Sequence, residues 1–218
     1  MTTIYLIRHS VRLGRDLIEE YNTTQDKIIK EEKIVLSPLG EERAKILSEK
    51  DEFDNIDKIY CSNCVRTIQT AKYLMEKHNL KCTIDDRLDE RRVGIPNDKE
   101  IPNWFELQFL DENYKTVGGE SQLDVRKRFG EVIDEILENN KDKRVCIFTH
   151  GYAMIFYLLK YCDLGEVSQD KVCFSYKGKT ILNRRISAPE VIKLTFKDKE
   201  LVDMDLIEFD DLDFNLGV

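Results

Sequence analysis

The chain of 218 residues carries 34 Lys and Arg against 42 Asp and Glu, a formal charge of −8, with 41% of its residues apolar and 35% charged. That apolar share at this length supports a sizeable core and excludes intrinsic disorder. The acidic total opposes binding to nucleic acid, whose backbone affinity is carried by excess cationic side chains. The longest uninterrupted apolar run, Tyr152 to Leu159, is far short of the ~20 residues of a bilayer helix. Neither a nucleic-acid nor a membrane partner is therefore expected. The opening Met-Thr-Thr runs into a β-rich segment without the basic, apolar and small-residue zones of an export signal, so the expectation is a cytoplasmic protein with six reduced cysteines. No linker or repeat divides residues 1–218, which read as one domain.

The first element is a strand over Ile4 to Ile7, continuously apolar and ending at Arg8-His9, the pattern of a strand buried on both faces. After a polar segment, Ser37-Pro38 marks a helix start, with serine as cap and proline at the first helical position. A second strand is expected over Ile56 to Tyr60. It leads through Cys61-Ser62-Asn63 into a helix whose Val65, Ile68, Ala71, Leu74 and Met75 recur at helical spacing, with Arg66 in its first turn. A short strand over Lys81 to Ile84 precedes a charged excursion from about 85 to 119, broken by Pro96 and Pro102 and holding one apolar stretch, Trp104 to Leu110. Ser121 and Asp124 form a capping box for a long amphipathic helix reaching Leu137. Next come a buried strand from Val145 to Thr149, His150-Gly151, and an apolar helix from Tyr152 to Tyr161. Strands over Val172 to Tyr176 and Val191 to Phe196 follow, with a last candidate between Lys199 and Phe209 and an acidic tail at about 203–218. Alternating strands and helices predict an α/β fold: a mostly parallel central sheet with helices on both faces.

Two of the three histidines, His9 and His150, directly follow buried strands. In open α/β sheets the carboxyl ends of the strands form the ligand crevice, so these two imidazoles are candidates to face one another there. Taken singly, each would read as a hydrogen-bonded core or surface histidine, and His78, late in a helix beside Lys77, reads as solvated. Arg8 precedes His9, and Arg66 lies where free helix N–H groups favour an anion. Guanidinium forks bind phosphate in a planar, bidentate manner. Two of them around two imidazoles suit a tetrahedral dianion and point to phosphoryl transfer, the alternative being that both arginines are surface ion-pair partners.

The chain resembles the histidine phosphatase superfamily, the phosphoglycerate mutase-like proteins, in four blocks. Ile4-Tyr5-Leu6-Ile7-Arg8-His9-Ser10 is similar to the family's apolar strand ending in Arg-His-Gly. Leu36-Ser37-Pro38-Leu39-Gly40 resembles its Leu-Thr-x-x-Gly helix entry, and the run from Tyr60 to Ala71 its Ser-x-x-x-Arg-x-x-Gln-Thr-Ala. Thr149-His150-Gly151 is similar to its second histidine. Leu88-Asp89-Glu90 with Gly94, and Gly119-Glu120-Ser121 with Arg126 or Arg128, resemble two subsidiary segments. The resemblance implies a phosphoglycerate mutase-like fold and a phosphomonoesterase that needs neither cofactor nor metal. His9 would be the nucleophile, forming a phosphohistidine. Arg8, Arg66 and His150 would hold the equatorial oxygens, and Glu90 would protonate the leaving oxygen and then activate water. That role requires a raised pKa for Glu90, which Arg91 and Arg92 oppose, so Asp89 and Glu120 are substitutes.

Two departures qualify the pattern. Ser10 stands where the family has glycine, either restricting the backbone or adding a hydroxyl donor to phosphate. The family's asparagine some six residues after the nucleophile is missing, and Arg12 or Arg15 is a candidate phosphate contact instead. The expected activity is hydrolysis of a small-molecule phosphate ester or a phosphoprotein. Alternatives are phosphoglycerate mutase-type transfer, a phosphate-binding relative without turnover, and a redox protein using Cys61 and Cys64, which have Cys-x-x-Cys spacing at a helix start.

Overall fold

A computed structural model of the chain describes residues 1–14, 31–97 and 99–209. Its centre is a six-stranded sheet in the order β3-β2-β4-β1-β8-β9, formed by β1 (Thr2–Arg8), β2 (Lys58–Cys61), β3 (Cys82–Ile84), β4 (Arg144–Thr149), β8 (Glu190–Lys197) and β9 (Glu200–Leu206). The four strands β3, β2, β4 and β1 are mutually parallel, while β8 runs antiparallel beside β1 and β9 antiparallel beside β8. Parallel neighbours require crossovers, and these carry α1 (Pro38–Ser48), α2 (Val65–His78), α3 (Trp104–Leu110) and α4 (Gln122–Asn139), while α5 (Gly151–Leu158) leads out of β4.

Both faces of the sheet are buried, as the continuous apolar strands predict. Ile4 and Leu6 of β1 join Val145 and Ile147 of β4 in a core with α3, α4 and α5, whereas Tyr5, Ile7, Cys146 and Phe148 pack on the other face against Leu47, Phe53, Ala71 and Leu74. Along α4, Phe129, Ile133 and Ile136 are almost fully buried, each contributing about 1.5–3 kcal/mol of transfer free energy. The expected caps form: Ser37 Oγ accepts the Gly40 N–H at 3.1 Å, and Ser121 and Asp124 complete a reciprocal capping box.

The alternating pattern stops after α5. Residues 163–184 form a separate antiparallel sheet of β5 (Asp163–Ser168), β6 (Lys171–Tyr176) and β7 (Lys179–Arg184), of which the sequence reading anticipated only β6. Lys177 and Gly178 both have positive φ, 49° and 80°, the two-residue hairpin geometry that matches strand twist. The last strand ends at Leu206, and Phe209 beyond it packs on Phe53 at 6.1 Å between ring centroids. The acidic remainder of the tail, 210–218, lies outside the described residues, as does Arg15. No helix among the described residues is long and apolar enough to cross a membrane.

Candidate active site

The strand order β2-β4-β1 sets three chain segments side by side at the carboxyl edge of the parallel strands. Arg8 is in register with Thr149, and the His9 N–H donates to the Thr149 carbonyl at 2.9 Å. One strand across, the Ser62 N–H donates to the Phe148 carbonyl at 3.0 Å. His9, His150 and the Ser62-to-Arg66 helix entry therefore lie in a row, and the two imidazoles meet edge to face with centroids 5.2 Å apart.

The imidazole tautomers follow from their partners. His9 Nδ1 lies 2.7 Å from the Ser10 carbonyl, which can only accept, so Nδ1 carries the proton and Nε2 keeps a free lone pair. At His150, Arg66 Nη2 donates to Nδ1 at 3.0 Å, so Nε2 bears the proton and donates to Ser62 Oγ at 2.8 Å. Burial, reinforced by the charges of Arg8 and Arg66, pushes the His9 pKa well below its ordinary value. Burial followed by Arg66, His9 and Arg8 does the same to His150. Both rings are neutral at neutral pH.

Cation is supplied beside them. Arg8 Nη1 donates to the carbonyls of Ile186 and Ser187 at 2.7 and 2.9 Å, and Arg66 Nη1 to the Glu31 carbonyl at 2.6 Å. Arg8 Nε, Arg66 Nε and Ser10 Oγ, by contrast, are buried with no hydrogen-bond partner among the described residues. Orphaned donors of this kind are costly in a folded protein and mark a site built for a ligand. The charges of Arg8 and Arg66 both act on His9, and Ser10 adjoins it in the chain, an arrangement that fits an anion.

The remaining motif residues hold the backbone of this cradle. Thr70 Oγ1 accepts the Ser10 N–H at 3.0 Å, and Gln69 Oε1 accepts that of Leu36 at 2.8 Å. A Cβ on Gly40 would lie 2.0 Å from the Val11 carbonyl oxygen, so only glycine lets α1 approach the segment that follows His9. Arg128 donates to the carbonyls of Arg87 and Asp89 at 2.6 and 2.9 Å and pairs with Glu120 at 2.8 Å. It is thus the arginine matching the subsidiary segment. Arg126 instead bonds Glu112 and the Phe156 carbonyl.

The three carboxylates considered as proton donors separate clearly. Glu120 would be raised by burial, but the hydrogen bonds and charge of Arg128 prevail and hold it below its ordinary value. Glu90 caps α5: its Oε1 accepts the N–H groups of Arg91 and Ala153 at 2.9 and 2.8 Å, and Oε2 that of Tyr152 at 3.4 Å. Its charge acts on Arg8. Asp89 Oδ1 accepts the Asn63 N–H at 2.9 Å, and burial raises its pKa to about 6. The Arg91 guanidinium turns into the core over Tyr152, 4.7 Å from the ring centroid, and bonds Gln108, while the Arg92 N–H donates to Glu120.

Arg12 is half-exposed, 3.8 Å from Glu31, and close enough to help depress His9. Trp104 to Leu110 is packing: Phe105 and Phe109 are buried against Tyr152 in edge-to-face contacts. His78, read as solvated, bonds the Phe53 carbonyl at 2.7 Å. Cys61 and Cys64 are not a reactive pair. The Cys61 thiol donates to Cys82, and burial raises Cys64 to about 11, the reverse of an activated thiolate.

Residues 4–194 match the family model of the histidine phosphatase superfamily, branch 1. The chain belongs to that superfamily. Phosphoserine phosphatase 1 of Hydrogenobacter thermophilus is 27% identical over 144 residues, 62% of this chain and 67% of that protein. A probable phosphoglycerate mutase of Yersinia enterocolitica is 26% identical over 127 residues, 55% of this chain and 59% of the relative. Among solved structures, a mycobacterial glucosyl-3-phosphoglycerate phosphatase superposes with TM-score 0.64 at 21% identity, covering 94% of this chain and 96% of its own. A phosphoserine phosphatase of Entamoeba histolytica in complex with 3-phosphoglyceric acid gives 0.62 at 18%, covering 99% and 100%. These likenesses agree with the observed α/β architecture, and the names of the sequence relatives place the chain among phosphomonoesterase and mutase-like enzymes.

Proposed function

We propose that this histidine phosphatase superfamily member is a metal-independent phosphomonoesterase that hydrolyses small phosphate esters through a phosphohistidine on His9. One observation carries the reading: His9 is buried and neutral with Nε2 unprotonated and with the charges of Arg8 and Arg66 acting on it, while Arg8 Nε, Arg66 Nε and the adjoining Ser10 Oγ are buried without partners among the described residues. The names of the relatives, phosphoserine phosphatase and glucosyl-3-phosphoglycerate phosphatase, favour small phosphorylated metabolites over phosphoproteins.

The lone pair on Nε2 attacks phosphorus in line with the ester oxygen. As the N–P bond forms, the P–O bond breaks, and the leaving oxygen takes a proton from Glu90. Arg8, Ser10 and Arg66 stabilise the oxygens that carry the charge in transit, a role needing fixed donors and no metal. His150 orients Arg66 and contributes to the phosphate cradle by releasing one of its two ring bonds. Water then attacks phosphorus, Glu90 recovers its proton, and the N–P bond breaks to restore Nε2. Glu90 is assigned by position, at the entry of α5 that follows His150 and close enough for its charge to act on Arg8. Asp89 is the second reading, favoured by its pKa of about 6, which suits acid catalysis near neutrality. Transfer back to a phosphorylated product, as in a mutase, is the competing outcome of the same intermediate.

The test is phosphate release from a panel of phosphate monoesters in excess EDTA. We expect turnover by the wild type and none by His9→Ala. Undiminished turnover in His9→Ala, or a silent wild type across the panel, would refute the reading.

A further inference from the structure

Beside the phosphate cradle, and sharing His150 with it, lies a second cluster of side chains. Cys64 caps α2, Asp89 follows the Asp86–Leu88 turn, and His150 caps α5. One thiol sulfur, one carboxylate oxygen and one imidazole nitrogen from these residues lie within 4.8 Å of one another. Cys64 and His150 are buried, at 4% and 0% exposure, and Asn63 fixes one oxygen of Asp89.

We propose that Cys64, Asp89 and His150 form an inhibitory zinc site, open at a fourth position. Thiolate, imidazole and carboxylate together suit a borderline-soft, tetrahedral ion better than magnesium or calcium, which prefer all-oxygen shells. Zinc–ligand bonds of about 2.0–2.3 Å put ligand atoms roughly 3.3–3.6 Å apart in a tetrahedron, so side-chain rotations of the order of an ångström close the cluster. Glu32 acts on both Cys64 and Asp89, and Asp86 on Asp89, against the opposing charges of Arg66 on Cys64, of Arg128 on Asp89, and of Arg66, Arg8 and Arg128 on His150; the thiolate and carboxylate of the site itself supply the charge that a divalent cation needs. The thiol, neutral without metal, releases its proton to solvent on coordination.

Coordination takes one His150 nitrogen from either Arg66 or Ser62, since both ring nitrogens are engaged. Either loss loosens the phosphate cradle, so zinc suppresses turnover. The inhibition arm rests on the proposed phosphatase activity, whereas zinc binding does not.

Two measurements on the full chain test the site. In competition with a chromogenic chelator, we expect the wild type to take up one equivalent of zinc. Cys64→Ser, which keeps a good helix cap, should bind more than about 100-fold more weakly, beyond the usual cost of an outer-shell loss, while Cys146→Ser should bind as wild type. In phosphate release, zinc should silence the wild type reversibly with EDTA and leave Cys64→Ser active. Equal zinc affinity in wild type and Cys64→Ser, or equal zinc inhibition of both, would overturn the proposal. A chain that binds zinc through Cys64 but hydrolyses no ester would uphold the site and refute only the activity.

Discussion

Two neutral, buried histidines beside a raised aspartate make stability depend on pH in a way that can be worked out group by group. His9 and His150 have folded pKa values far below the unfolded value, so the unfolded chain takes up their protons first and stability falls as pH drops below about 6.5. By about pH 5 each histidine has cost about 2 kcal/mol relative to pH 8. Asp89 has the opposite sign. Its folded pKa of about 6 lies above the unfolded value of about 3.9, so the folded chain is protonated first and regains about 1.4 kcal/mol by about pH 5. These three groups together predict a loss of about 3 kcal/mol. Asp89→Asn removes the offset and deepens the loss to about 4 kcal/mol, whereas His9→Asn, whose amide can still reach the Ser10 carbonyl, reduces it to about 1 kcal/mol. Contributions from distant groups are common to all three proteins and cancel on subtraction. The assay is urea unfolding followed by circular dichroism at the two pH values in a phosphate-free buffer. If His9→Asn and wild type lose equal stability over this interval, His9 is not held neutral by burial, and its assignment as nucleophile loses its physical basis.

Other perturbations probe the same site from different sides. Glu90→Gln should lower kcat by about 10²–10⁴-fold while leaving phosphate affinity within a few-fold; if Asp89→Asn gives the larger loss and abolishes a kinetic limb near about pH 6, the proton donor is Asp89. Gly40→Ala drives a methyl onto the Val11 carbonyl and should cost about 2–4 kcal/mol in denaturant unfolding, a value near zero being incompatible with the close approach of α1. Hydrogen bonding from Cys61 lowers the half-buried Cys82 to about 6, so Cys82 should be the first cysteine alkylated at neutral pH by peptide mass mapping. Preferential labelling of Cys64 would contradict the burial that raises it.

Much of this site was legible because its chemistry sits at places that local pattern already marks. A buried apolar strand announces its own end, and His9 and His150 are the first polar rings after such ends. Arg66 was legible as a helix-entry residue for the same reason. What sequence could not show is which distant backbone completes each group. Arg8 is held by carbonyls 178 and 179 residues away, on a loop braced by the buried Glu190 and its partner Arg184. Ser62 was visible only as a letter in a block, and its bond to His150 depends on β2 lying beside β4. The antiparallel β5–β7 sheet escaped because β5 is largely exposed and carries little apolar periodicity, although the Lys177-Gly178 turn was a usable hairpin signal.

The arrangement also explains why one small cluster can recognise opposite charges. Arg8 and Ser10 after β1, and Arg66 at the entry of α2, present buried polar atoms without partners among the described residues, and the two neutral imidazoles add no charge to the arginines beside them. On the β2 flank, Cys64 and Asp89 lie under the influence of Glu32 and Asp86 as well as of Arg66 and Arg128, and their thiolate and carboxylate forms would supply the charge for a cation. His150 stands on the boundary, one nitrogen accepting from Arg66 and the other donating to Ser62. A neutral histidine can serve either side but not both at full strength, because each service withdraws a ring nitrogen from a bond that positions the other. Phosphate turnover and zinc binding should therefore oppose one another through His150, and strengthening the Arg66–His150 contact should weaken zinc binding as it tightens the phosphate cradle.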